Sequence, residues 1–165
     1  MNISKNLKNK IFSKETSISF LTTISIFILD RITKAAIINN QMINQSIFIN
    51  DYLNFDLIWN TGVGFGLFSH NANIYYHSIT LLIFLVIIFL VHLITKADFF
   101  EKIWFSLILG GAIGNLYDRL IYLAVPDFID FHIKDFHWFT FNVADVFITL
   151  GIILIIIKDL IFKKK

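Results

Sequence analysis

Four apolar stretches, near Ser17–Ile38, Asn73–Ile94, Ile103–Leu120 and Phe141–Phe162, dominate the chain. Each is long enough to cross a hydrocarbon core of roughly 30 Å at about 1.5 Å of rise per helical residue. The second is almost featureless between Ile79 and Val91, which predicts contact with lipid over much of its surface. The chain is 165 residues long and shows no internal repeat, low-complexity segment or domain linker, so residues 1–165 are expected to form a single membrane domain. The 56% apolar content and a mean hydropathy of +0.71 set it apart from soluble domains. Cysteine is absent, which removes disulfides, thiol nucleophiles and Cys-ligated zinc. The net charge of +2 and its dispersed lysines argue against a nucleic-acid partner. No cleavable signal peptide is expected, because the first apolar run continues past Lys34 without a small-residue cleavage site.

Basic residues in short loops set the orientation. Lys5, Lys8, Lys10 and Lys14 precede the first span, Lys96 and Lys102 lie between the second and third, and Lys158, Lys163, Lys164 and Lys165 close the chain. The opposite connections carry only Lys134. Both termini are therefore expected in the cytoplasm. On that orientation the polar residues inside the spans fall at one depth, toward the outer side: Asp30, Arg31 and Lys34 in the first, Asn115, Asp118 and Arg119 in the third, Asn142 and Asp145 in the fourth. Asp145 would lie roughly 6 Å below the start of its helix.

Alternation in Ser46–Asn50 and Leu53–Trp59 predicts strands of a small sheet on the outer surface, within residues 41–70. Gly62, Gly64 and Gly66 then allow bending or close backbone approach. The aromatic, mixed-charge stretch Ile129–Phe139 is expected to lie flat at the interface as a short helix, with Trp138 at headgroup level.

A carboxylate inside a membrane span is costly and points to function. Asp145 is one; Asp127, in Val125-Pro-Asp-Phe-Ile-Asp130, supplies a second from a flanking segment. Two carboxyls meeting at a membrane edge suggest an acid/base pair sharing a proton. Asn142 and Asp145 share a helix face at i,i+3. Gly110 and Gly114 have the spacing of a helix-packing seam, beside a stripe of Gly111, Asn115 and Asp118. That stripe reads either as a seam closed by an Asp118–Arg119 pair or, for Asn115 and Arg119, as part of a site. Asp30 and Lys34 form either a self-neutralising i,i+4 pair or a support for the site. There is no HExxH, and His132 and His137 stand five apart with no acid in the expected place, so zinc is set aside. Gly-x-Ser-x-Gly is also missing, which weakens a serine-hydrolase reading.

Five blocks in order, Asp30-x-x-Thr-Lys34, Asn60-x-Gly62 with Phe65-Gly66, Gly110-Gly-Ala-Ile-Gly-Asn-x-x-Asp-Arg119, Val125-x-Asp127-Phe-Ile-Asp130 and Phe141-Asn-Val-Ala-Asp145, give the chain its resemblance to the bacterial lipoprotein (type II) signal peptidases. The resemblance implies a mainly α membrane protein of four transmembrane helices with a small extracytoplasmic β-cradle. It implies an aspartic endopeptidase that cuts diacylglyceryl-modified prolipoproteins before the lipidated Cys and is inhibited by globomycin. Asp127 and Asp145 match its catalytic positions. Asp30, Lys34, Asn60, Gly62, Asn115, Arg119 and Asn142 match supporting or substrate-contacting ones. No cofactor or metal is expected. The partners are the lipidated precursor and membrane lipid, the protein a monomer in the bacterial inner membrane, the site at its outer face. Pro126 and Gly64 depart from the usual Val and Ala of the family. The rival class is a small proton-coupled transporter relaying through Asp30, Asp118 and Asp145, disfavoured because transport sites sit nearer the midplane between repeats.

Overall fold

The computed structural model describes residues 13–41, 46–62 and 72–162. Its four long helices fall on the four apolar stretches: α1 (Lys14–Gln41), α2 (Ala72–Lys96), α3 (Phe99–Ile121) and α4 (Val143–Phe162). They overrun most of the apolar limits because helical hydrogen bonding continues through flanking polar residues. Asp98 shows how one such extension is closed. Its side chain accepts from the Glu101 amide at 3.0 Å, and Glu101 Oε2 accepts from the Asp98 amide at 3.2 Å, a reciprocal cap at the start of α3.

α3 is the central helix and packs against the other three. Glycine makes two of these contacts close. A Cβ on Gly110 would stand 2.8 Å from both Ile26 Cβ and the Thr23 carbonyl of α1, and one on Gly111 would stand 2.5 Å from the Ala144 carbonyl of α4. The expected seam is therefore present, with Gly110 and Gly114 facing α1. α2 packs chiefly on α3 and turns Leu81, Leu82, Leu85 and Phe89 outward. Among the described residues, Ile74–Lys96 (mean hydropathy 2.8) is the one helix long and apolar enough by itself to cross a membrane. The other three carry charges within their length.

The four strands β1 (Ile47–Asn50), β2 (Leu53–Asn60), β3 (Val125–Ile133) and β4 (Phe136–His137) form one antiparallel sheet in the order β1-β2-β3-β4. The first two lie where alternation predicts them. β3 and β4 replace the short interfacial helix expected over Ile129–Phe139. The reason is an inverted alternation: in Ile129–Ile133 the polar Asp130 and His132 are buried while Phe131 and Ile133 are exposed, so the stretch reads as an aromatic, mixed-charge surface segment and not as a one-sided strand. Gly64, Phe65 and Gly66, and the lysines before Ser13 and after Phe162, lie outside the described residues.

Two features of β3 position the site. Its pairing with β2 ends at Asn60 opposite Val125, a diagonal step from Asp127 on the same face. On its other side, the Phe128 and Ile129 amides both donate to the Phe141 carbonyl (3.0 and 2.7 Å). The strand is thereby clamped to the residue just before α4.

Candidate active site

α4 begins at Val143, so Asn142 is its N-cap and Asp145 its third residue. The first amides of a helix lack partners within it. Here the Asp145 amide donates to Asn142 Oδ1 at 3.1 Å, and Asp145 Oδ2 accepts from the Asn142 amide at 3.1 Å. The Ala144 amide donates to Asp30 Oδ1 of α1 at 3.2 Å. Asn142 and Asp145 thus share one end of the helix as a reciprocal cap. The i,i+3 spacing anticipated their proximity but not this role.

Asn142 also joins the two acidic positions. Its Nδ2 donates to Asp127 Oδ1 at 2.6 Å, while Asn60 Nδ2 donates to Asp127 Oδ2 at 2.8 Å. Asn115 Nδ2 donates to Asp145 Oδ1 at 2.8 Å. Each of the four carboxyl oxygens therefore accepts one N–H bond. A carboxyl oxygen has two acceptor sites, so one per oxygen remains for a proton or a water. Asp127 is only 4% exposed. Burial pushes its carboxyl up to about 6; the amides of Asn60 and Asn142 oppose that rise, and the nearby Asp145 charge adds to it. Asp127 is therefore readier to hold a proton than an ordinary carboxyl.

Behind the pair lies a neutral ion cluster. Lys34, 1% exposed, donates to Asp30 at 2.9 Å, Asp118 at 2.7 Å and Asn115 Oδ1 at 2.9 Å. Arg31 bonds Asp118 Oδ1 at 2.5 Å and Asp30 Oδ2 at 2.7 Å. Two cations thus face two carboxylates. An ammonium has no acceptor, so Lys34 requires the oxygen of the Asn115 amide and leaves its NH₂ for Asp145. The i,i+4 pair of Asp30 and Lys34 is real, yet half of a larger cluster. Asp30 and Asp118, bound by cations on two sides, are poorly suited to the proton relay of a transporter.

The expected Asp118–Arg119 pair does not form. Asp118 pairs with α1 instead of with Arg119. The Arg119 guanidinium lies 5.2 Å from the Tyr76 ring centroid, and its buried Nη1 has no hydrogen-bond partner among the described residues. Tyr76 also donates its hydroxyl to the Arg119 carbonyl at 2.6 Å. Gly62 is required here: its φ is +77°, and a Cβ would approach Arg119 Nη2 to 2.6 Å. Its amide donates to Asn60 Oδ1 at 2.7 Å, so the amide that touches Asp127 also turns the chain toward Arg119. Sequence reading left Arg31, Asp118 and Tyr76 off the site. Arg31 and Asp118 could have been found as a second pair of opposite charges at the depth of Asp30 and Lys34; Tyr76 had no such signal.

Beside Asp145 opens an apolar groove of about 380 Å³, lined by Phe139, Phe141, Val146, Thr149, Leu150 and Ile153. Residues 22–161 match the family model described as Signal peptidase (SPase) II. The lipoprotein signal peptidase of Pelagibacter ubique is 46% identical over 95% of this chain and 96% of its own. That of Francisella tularensis subsp. novicida is 39% identical over 88% and 93%. A bacterial membrane enzyme solved by the in meso method at 1.9 Å superposes with a TM-score of 0.76, at 31% identity over 90% of this chain and 95% of the other. A second such structure, at 2.3 Å, gives 0.72 at 34% identity over 90% and 92%. The chain therefore belongs to the signal peptidase II family of membrane proteases.

Proposed function

We propose that this chain removes the signal peptide from diacylglyceryl-modified prolipoproteins, cutting before the lipidated Cys, with Asp127 and Asp145 as a proton-sharing pair. The observation that carries the reading is the Asn142 bridge, one residue touching both carboxyls from two different elements. The ionised member takes a proton from water as that water attacks the scissile carbonyl. The protonated member polarises the carbonyl oxygen and then protonates the leaving amine. The pair titrates as a unit, so the proton belongs to both. Asn60, Asn115 and Asn142 hold the carboxyls in place, Lys34 fixes the Asn115 oxygen, and Asp30 holds the first turn of α4. Arg119, with Gly62 beside it, faces the incoming peptide.

The groove along α4 suits an acyl chain of the lipidated Cys, because its wall is apolar and one end reaches Asp145. All four helices cross the membrane in this reading, the sheet covers the outer face, and both termini are cytoplasmic. The polar cluster shared by α1, α3 and α4 at one end of the bundle supports that placement. The test is cleavage of a diacylglyceryl prolipoprotein by purified protein. Asp127→Asn and Asp145→Asn are each expected to lose at least about 10²–10⁴-fold in rate, the usual worth of a positioned acid or base. Near-normal cleavage by either variant would overturn the mechanism, and globomycin serves as the inhibitor control.

A further inference from the structure

Strand geometry gathers three metal-ligating side chains away from the acidic pair. Asp130 and His132 are two apart on β3 and so lie on one face; Asp127, three from Asp130, lies on the other. The antiparallel register sets His137 of β4 directly across from His132. His137 Nδ1 is 2.9 Å from Asp130 Oδ2, and His132 Nδ1 is 3.6 Å from the same oxygen. The two imidazoles are stacked with centroids 5.0 Å apart. One ligand atom from each of the three residues falls within 4.8 Å of the others.

We propose that Asp130, His132 and His137 form a binding site for a divalent transition-metal ion of the zinc class. A tetrahedral zinc with bonds of about 2.0–2.2 Å sets its ligands roughly 3.3–3.5 Å apart, a spacing these separations bracket. A hydrogen-bonded Asp–His pair accounts for His137 alone. It leaves the buried Nδ1 of His132 without a hydrogen bond among the described residues. It also leaves the buried Oδ1 of Asn54, the residue paired with Asp130 across β2 and β3, without a donor among the described residues. Buried polar atoms are rarely left unsatisfied, and a cation at the centre of the cluster gives the imidazole nitrogen a partner. Two imidazoles and a carboxylate favour zinc, nickel or copper over magnesium or calcium. His137, with its side chain 55% exposed, leaves the site open to solvent on one side. The helical HExxH zinc motif places its acid directly after the first histidine, where this sequence has Ile133. The acid is supplied by the strand.

Bound metal would cross-link β4 to β3, the strand that carries Asp127. The experiment uses tag-free protein in detergent, stripped with a chelator and titrated with Zn²⁺ by calorimetry and with Co²⁺ by visible absorption. One equivalent of Zn²⁺ is expected at micromolar affinity or better, with tetrahedral Co²⁺ bands and a rise in unfolding temperature. Loss of a group that merely supports a ligand already costs roughly 10–100-fold in metal affinity, so His137→Ala is expected to weaken binding at least about tenfold. His132→Ala should do the same and His92→Ala should bind as the parent does. His137 sits on an exposed hairpin, so its variant keeps the test open should His132→Ala fail to fold. Absence of Zn²⁺ binding by the parent, or parental affinity in His137→Ala, would overturn the site.

Discussion

Asn60 serves two purposes with one amide: its oxygen turns the chain at Gly62, and its nitrogen holds Asp127. That second bond favours the ionised carboxyl and pulls against burial, so its loss moves the Asp127 pKa further above about 6. In the proposed mechanism, proton loss from the pair sets the descending limb of kcat/KM against pH. Asn60→Ala is therefore expected to move that limb to higher pH, with a rate loss of roughly ten- to a hundredfold from the missing charge-assisted bond. A pH–rate profile decides it, and a limb unmoved or shifted downward counts against the assignment. Lys34 belongs to the same scale. Lys34→Met would leave two buried carboxylates to Arg31 alone, an imbalance expected to cost about 3–5 kcal/mol in thermal unfolding. Adding Asp118→Asn should recover part of it, because the two changes remove opposite charges from one cluster.

Among the elements, α3 carries the tightest constraint. A Cβ on Gly114 would stand 2.5 Å from Asp30 Oδ2, a carboxylate that also holds Lys34 and the first turn of α4. Gly110→Ala meets the backbone of α1, whereas Gly114→Ala displaces that carboxylate. Both are expected to lose about 1–3 kcal/mol in stability by overpacking. Gly114→Ala should lose more activity for the same loss of unfolding temperature, measured on one preparation of each. The helices were legible because apolar runs of this length have few other uses, and β1 and β2 because they alternate. β3 was not, since its second half buries the polar Asp130 and His132 and exposes Phe131 and Ile133, the reverse of the usual pattern. The partners of Asp118 were equally hidden: Lys34 lies 84 positions away, and nothing local distinguishes it from Arg119 next door. Asp127 and Asp145 could be read as a pair because buried acids are rare in apolar sequence, but the Asn142 cap that joins them depends on where α4 starts.

At the scale of the molecule, the chain lacks cysteine, which makes its proposed topology easy to probe. A single cysteine placed at Lys134 should react with a membrane-impermeant maleimide in intact cells or spheroplasts, and one at Lys96 only after permeabilisation. The reverse pattern would invert the protein and move the acidic pair to the wrong side. The two ends of the bundle are held by different means. Opposite the acidic pair, Lys102 of α3 bonds Glu15 of α1 at 2.7 Å, and Lys158 of α4 bonds both Asp98 and, at 2.8 Å, Glu101. These staples share no partner with the cluster around Lys34, and changes at well-separated sites combine nearly additively. Heat resistance can therefore be engineered at the distal staples and combined with Asp127→Asn, which under the proposed mechanism yields a durable trap for a precursor caught before scission.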